Sequence, residues 1–298
     1  MALKHVIKDI KNFFGIGKLR KRIKIDDYRI LLDSETLYSK EPGTSEQMYC
    51  DHEIVISLTT YGKRIETAYL AISSLMRQSR KANRIILWLS EEEFSGKELP
   101  ATLTLLEKRG LEIRFCQDLR SYTKLIPTLR LCPEAAIITV DDDVMYDISL
   151  IDRLVRAHLA EPDVIWGNRV TKIAFDKNGK LKPYKKWRNA KPLEESDKNF
   201  ATGVGGVIYP PKVFNDEILD ESKFLTLAPT ADDLWFKAMA LVSDAKVKRI
   251  LPLDSSGEDE HLGGIVGFSD GLAGENVIGG GNDRAIAALM DYFKKIQP

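Results

Sequence analysis

Long apolar runs are missing from this chain of 298 residues. No stretch of about 18 consecutive apolar residues occurs, so the sequence offers no membrane-spanning helix. The N-terminus also lacks the apolar core and small-residue cleavage site of a secretory signal. Cysteine is scarce: Cys50, Cys116 and Cys132 are scattered, odd in number and without metal-ligand spacing. That excludes a disulfide framework and fits a reducing compartment, with the thiols acting as small buried hydrophobes. There is no internal repeat. Net charge is missing too, with 44 Lys and Arg against 44 Asp and Glu.

The neutral total hides an asymmetry. Residues 1–25 carry eight Lys and Arg against Asp9 alone, which is +7 and leaves −7 for the remainder. Leu3, Val6, Ile7, Ile10, Phe13 and Phe14 recur at helical spacing in the same stretch, and Gly15 and Gly17 are expected to stop that helix. A basic amphipathic helix followed by a basic cluster predicts a peripheral anchor on an anionic lipid surface, at the cytoplasmic face of the cell membrane. The acidic body, without interleaved aromatic and basic residues, argues against nucleic acid as a partner. Residues 26–52 are polar and mixed, and read as a linker.

From Glu53 the pattern becomes regular, and residues 53–298 read as one α/β domain. Ile54 to Leu58, Arg84 to Leu89, Leu111 to Phe115 and Ala136 to Val140 are short apolar runs bounded by turn residues, hence strands. Helical spacing at Ile65, Tyr69, Ile72 and Met76, then over 100–109, 123–131 and 151–158, places helices between and after them. Strands alternating with helices imply βαβ units and a mainly parallel sheet. Beyond 160 the rhythm changes. Val164 to Phe175 and Lys180 to Trp187 flank the turn Asp176-Lys-Asn-Gly179 and predict a hairpin. A helix is expected over 232–241, a strand over 247–251, a long glycine-rich loop over 253–282 and a closing helix to Phe293.

Asp141, Asp142 and Asp143 follow the fourth strand directly. Three adjacent carboxylates repel one another and resist desolvation, and a hard cation with oxygen ligands relieves both. Ligands collect at the carboxyl ends of strands in open α/β sheets, so position and chemistry agree. Three further features line up with the triplet: Thr59-Thr60-Tyr61-Gly62 after the first strand, the Thr202-Gly-Val-Gly-Gly206 turn, and Asp232-Asp233 at the start of a helix.

In this order the four features resemble a glycosyltransferase of the GT-A fold, a Rossmann-like α/β architecture with a small antiparallel section. The closest pattern is the family-2 type group that builds bacterial surface polysaccharides. Ile54 to Tyr61 looks like the first nucleotide-binding segment, with Thr-Thr-Tyr in place of the commoner Pro-Thr-Tyr, and Asp141-Asp-Asp143 matches the DxD motif. The resemblance covers about residues 53–245. It implies a nucleotide sugar, with UDP expected, held through Mn²⁺ or Mg²⁺ by Asp143 and Asp141, with His261 a candidate to complete the metal shell. Thr59, Thr60, Tyr61, Asp118, Lys124 and Asp142 would bind the donor, and Gly203, Gly205 and Gly206 would shape its pocket. Asp233 would act as general base on a glycan or lipid-linked acceptor hydroxyl, with Asp232 the alternate, and inversion would follow. Trp235, beside the acidic pair, is a candidate to stack on a sugar, ahead of Trp166 and Trp187.

The competing readings lack parts. A sugar nucleotidyltransferase would carry an early glycine-rich loop with a basic residue, and an aspartyl-phosphate phosphatase an Asp-x-Asp-x-Thr after its first strand. A non-catalytic membrane-surface scaffold or sugar-binding module of the same fold would have no use for the second acidic pair.

Overall fold

The computed structural model describes residues 2–253, 274, 276 and 279–296. A 37-residue helix, α1 (Ala2–Tyr38), leads through an irregular strap into β1 (Ile54–Thr59). Then follow α2 (Ala68–Met76), β2 (Arg84–Ser90), α3 (Glu91–Phe94), α4 (Ala101–Glu107), β3 (Leu111–Cys116), α5 (Ile126–Leu131), β4 (Ala136–Thr139) and α6 (Leu150–Ala160). The second half holds β5 (Ile165–Gly167), β6 (Val170–Lys172), β7 (Arg188–Asn189), β8 (Asn199–Ala201), β9 (Val207–Tyr209), α7 (Glu221–Leu227), α8 (Asp232–Val242), β10 (Val247–Arg249), α9 (Gly281–Ala288) and α10 (Met290–Phe293).

Seven strands form one sheet in the order β10-β5-β9-β4-β1-β2-β3, and β7-β6-β8 form a second, antiparallel one. Every pairing in the large sheet is parallel except those of β9, which runs against both β4 and β5. This is the mixed α/β architecture expected, with flanking helices and a small antiparallel section. Side-chain alternation splits the buried apolar residues between the two faces. Ile54, Ile56, Leu58, Ile138 and Val140 pack with α2, α4 and α6, while Ile137, Val207 and Tyr209 pack with α5, α7, α8 and the C-terminal helices. After β1 the chain moves outward to β2 and β3, then returns across β1 to place β4, so the strand order reverses between β1 and β4. Crevices at such reversals are where α/β sheets bind ligands.

Two expectations fail and a third holds only in part. Gly15 and Gly17 do not end the first helix, and 26–52 is not a free linker. Glycine costs a helix only about 1 kcal/mol per residue, and the later part of α1 is held by packing. Leu32 is fully buried with Leu70 and Met145, Thr36 shares a hydrogen bond with Ser73 at 2.5 Å, and the Tyr28 hydroxyl donates to the Tyr146 carbonyl at 2.9 Å. The strap that follows is bonded along its length. Gly43 N–H donates to the Arg109 carbonyl, Ser45 N–H to the Ala82 carbonyl, and the Asn83 amide to the Ser45 and Gln47 carbonyls. The hairpin over 164–187 is also only partial. Its turn forms, with Gly179 at φ 74° and the Asp176 carboxylate accepting from the N–H groups of Asn178 and Lys180. The segment before it is shared between the two sheets, because the chain bends at Gly167, where a Cβ would lie 2.9 Å from Val170 and 3.0 Å from Ala201.

Candidate active site at the β1–β4 crevice

Strand register assembles the site. Ser57 of β1 is paired with Thr139 of β4, so three residues further on Thr60 comes level with Asp142. The Thr60 hydroxyl donates to Asp142 Oδ2 at 2.5 Å. On the other side of β4, Thr139 is paired with Val207 of the reversed strand β9, which lays the glycine turn before Val207 alongside the aspartates. The helix α8 then delivers Asp232 and Asp233 in its first turn, where the helix dipole favours negative charge.

Two cations hold the acids in place. Lys124, with its side chain 7% exposed, reaches Asp141 Oδ1 and Asp232 Oδ2, each at 3.0 Å. Burial works against its charge, but the aspartates win and its pKa lies well above that of an ordinary lysine. Arg64, in the short 3₁₀ turn after β1, bridges Asp142 Oδ1 at 2.7 Å and Asp143 Oδ2, and its guanidinium also lies over the Tyr61 ring. Its Nε is buried without a partner among the described residues, a donor left over for an acceptor. Burial pushes the Asp142 carboxyl up to about 6 against the pull of Arg64 and Thr60. Asp143 is raised as well, by burial and then by the charge of Asp141. Tyr146 fixes the start of the loop, its hydroxyl accepting from the Asp141 N–H at 2.8 Å.

Asp233 sits apart from these pairs. Both its oxygens accept from the Gly203 N–H, at 3.1 Å each, and burial followed by the charge of Asp232 pushes its carboxyl up to about 7. Gly203 is where side-chain absence matters most to the cluster. A Cβ there would lie 2.6 Å from Lys124 Nζ and 3.3 Å from Asp233 Oδ1.

The other sequence-predicted residues fall less centrally. Thr59 lies at the same strand edge, but its hydroxyl donates to the Trp88 carbonyl at 3.0 Å. Tyr61 is 45% exposed beside Arg64. Asp118 is exposed, and its carboxylate accepts from the Arg120 N–H in a turn after β3. Gly205 and Gly206 serve packing: a Cβ on Gly205 would meet the Arg169 backbone nitrogen at 2.7 Å, and Gly206, at φ 86°, closes on Leu150. The tryptophans are core residues and offer no platform for a sugar. Trp235 is fully buried with its indole N–H on the Ile218 carbonyl, and Trp166 and Trp187 are 2% and 7% exposed. His261 lies outside the described residues. Arg64 and Tyr146 were not anticipated. The one available signal for Arg64 was a basic pair, Lys63-Arg64, directly after the Thr-Thr-Tyr-Gly turn.

The donor set decides whether a divalent cation fits. No three of the aspartates bring oxygens within 4.8 Å of one another among the described residues, so these residues alone form no complete cage. What remains accessible is a pair of oxygen donors, Asp141 and Asp143, with side chains 29% and 27% exposed. Five aspartates face two cations, Lys124 and Arg64, which leaves negative charge to be met. Mg²⁺ and Mn²⁺ are commonly held in this way, by one or two carboxylates with phosphate oxygens of a ligand completing the shell. The residues fit such an ion.

No protein-family model matches the chain, and no curated protein does. Among solved structures, a CMP-2-keto-3-deoxy-manno-octonic acid synthetase complexed with CTP is similar over 66% of this chain and 88% of its own, at 11% identity and a TM-score of 0.39. A mannosyltransferase from Pyrobaculum calidifontis in complex with GDP-Man and Mn²⁺ is similar over 77% of this chain and 67% of its own, at 12% identity and a TM-score of 0.40. Overlaps this loose carry no argument for shared chemistry.

Proposed function

We propose that this protein is a GT-A type glycosyltransferase that moves a sugar from a nucleotide donor, with UDP as the expected nucleotide, to a hydroxyl of a glycan or glycolipid. The observation that carries this reading is geometric: Asp233, held by the Gly203 N–H, opens on the same crevice as the Asp141–Asp143 loop, and burial there raises its carboxyl to about 7. A general base works best with a pKa near the working pH, and Asp233 is the one aspartate of the five that makes no ion pair among the described residues.

The residues divide the work. Asp143 and Asp141 would hold Mn²⁺ or Mg²⁺, which supplies charge stabilisation to the departing nucleoside diphosphate. Arg64, whose Nε has no partner among the described residues, would donate to a phosphate oxygen as it releases Asp143 to that role. Lys124 holds Asp141 and Asp232 in place through its ion pairs with both. Asp233 takes the proton of the attacking hydroxyl at its carboxylate oxygen, the Gly203 N–H orienting the group, and attack from that side inverts the anomeric centre. Residues 1–25 are proposed to rest on the anionic cytoplasmic face of a membrane. Leu19 and Ile23 support this, being 58% and 50% exposed next to the exposed Arg20, Arg22 and Lys24.

A second reading, sugar nucleotidyl transfer, gains from one observation: Arg64 does place a basic residue after β1. Thermal melting with UDP, GDP, CDP and CMP, each with Mn²⁺ and with EDTA, tests the site itself. A nucleotide at 100 times its dissociation constant adds about 2.7 kcal/mol. Stabilisation by one nucleoside diphosphate only with metal is the expected result, and no response to any of them would overturn the proposal. Pyrophosphate release from a nucleoside triphosphate and a free sugar would favour the second reading.

A further inference from the structure

A second cluster of ligating side chains lies at the opposite end of the strands from the aspartates, where β1 begins. Cys50 and His52 belong to the strap before β1, and His158 to the last turn of α6, which brings its C-terminus back to the start of the strands. One sulfur and two ring nitrogens from these residues lie within 4.8 Å of one another, the only such trio of Cys, His, Asp or Glu donors among the described residues. Sequence spacing could not reveal it, because His158 is 106 residues from His52.

The geometry of the two imidazoles is that of a ligand pair. Asp51 Oδ1 lies 2.7 Å from His52 Nδ1, and an ionised carboxylate only accepts, so the His52 proton sits on Nδ1 and its Nε2 presents a lone pair. That lone pair points at His158 Nε2, 2.8 Å away, with the rings at 67°. A carboxylate behind one histidine, fixing its tautomer, is the arrangement that supports metal-bound imidazole. His158 is 1% exposed, and its other nitrogen, Nδ1, is buried without a partner among the described residues. Neighbouring bonds hold the strap still: the Tyr49 hydroxyl donates to the Lys81 carbonyl at 3.0 Å, and the Ile54 N–H to Asn83 Oδ1 at 2.8 Å.

We propose that Cys50, His52 and His158 form a binding site for Zn²⁺ or a similar borderline-soft divalent ion, separate from the aspartate crevice. Nitrogen and sulfur donors select this class of ion, as the oxygen donors of Asp141 and Asp143 select Mg²⁺ or Mn²⁺. At Zn–N lengths of about 2.0 Å two tetrahedral nitrogens stand roughly 3.3 Å apart, so the imidazoles need to part by only about 0.5 Å. Cys50 Sγ, which donates to the His52 carbonyl at 3.4 Å, gives up its proton to solvent and turns inward. His52 and Asp51 also line a cavity of about 690 Å³ shared with Glu53 and Asp163, so a water or carboxylate can fill the fourth position. Bound metal would tie the strap, and through it α1, to the C-terminus of α6.

The test is a Co²⁺ titration of the full-length, EDTA-stripped protein, followed by competition with Zn²⁺. The expected result is one equivalent of tetrahedral Co²⁺ with a thiolate charge-transfer band, displaced by Zn²⁺, kept in Asp143→Ala and lost in both Cys50→Ser and His52→Ala. Cys50 and His52 are partly exposed, so both variants should melt within a few degrees of the native protein in EDTA. If one of them does not fold, the other decides. No charge-transfer band in the native protein at saturating Co²⁺ would overturn the proposal, and so would a band that survives in a folded variant.

Discussion

Replacing Asp233 with asparagine should raise stability at alkaline pH while abolishing transfer. The substitution keeps the shape of the side chain, and an amide oxygen can still accept from the Gly203 N–H. In the native protein, burial and then the charge of Asp232 move the carboxyl from 3.8 to about 7. A shift of about three units, at roughly 1.4 kcal/mol each, makes ionised Asp233 cost the fold on the order of 4 kcal/mol. Water at its exposed edge screens part of this, and the new amide N–H groups need acceptors, so about half, or 2 kcal/mol, should be recovered. Because the folded pKa lies above the unfolded one, this group favours the native state fully below pH about 4. That contribution is lost as pH rises through 7. The variant has no such loss, so the difference in Tm should be near zero at pH 4.5 and grow to roughly 4 °C by pH 8.5. Parallel thermal melts across that range measure it. A difference that does not change with pH, or a variant that melts lower at pH 8.5, would refute the electrostatic account of Asp233.

Asp143→Ala should abolish the metal-dependent part of nucleotide binding in the thermal-shift assay, and unchanged Mn²⁺ dependence would remove Asp143 from that role. Gly203→Ala and Gly205→Ala should separate function from packing. The first presses on the movable end of Lys124 and should reduce transfer with a small change in Tm, whereas the second meets the Arg169 backbone and should cost about 1–3 kcal/mol; equal effects on Tm would contradict this. Tyr146→Phe leaves the Asp141 N–H without its acceptor and should destabilise by about 1–3 kcal/mol, read as a fall in Tm of several degrees. Deleting residues 2–22 should release the protein from anionic vesicles with little change in Tm. Deleting 2–38 should lower Tm strongly, because Tyr28, Leu32 and Thr36 go with it.

Much of the crevice was legible because its parts are local. Apolar runs such as Ile54 to Leu58 and Ala136 to Val140 are too short for helices and end in turn residues, so their ends, and the aspartates beyond them, could be placed before any pairing was known. What escaped was set by contacts between distant segments. Arg64 meets Asp142 and Asp143 only because β1 lies beside β4, and no local pattern marks the reversal of β9 that brings Gly203 to Asp233. The burial of Trp235 follows from α8 packing against the turn at Ile218, which composition does not show. The linker reading is a different kind of miss. Ile25, Tyr28, Leu32 and Thr36 recur at helical spacing, but single apolar residues among charges make a weak periodic signal, and their partners Leu70, Ser73 and Met145 lie far along the chain.

The continuity of α1 bears on reach. One unbroken helix runs from Ala2 to Tyr38, and its Tyr28 grips the loop that carries the aspartates. A flexible tether would let the crevice wander over any surface its far end touched, but a helix is a ruler. At about 1.5 Å per residue, Arg22 stands roughly 9 Å along the axis from Tyr28. If residues 1–25 rest on a membrane surface as proposed, the helix axis lies along that surface, and the basic cluster fixes where on it the crevice opens. One extra helical turn inserted between Arg22 and Tyr28 would shift the basic cluster by about 5 Å along the axis and rotate it little, moving the crevice along the surface by the same amount.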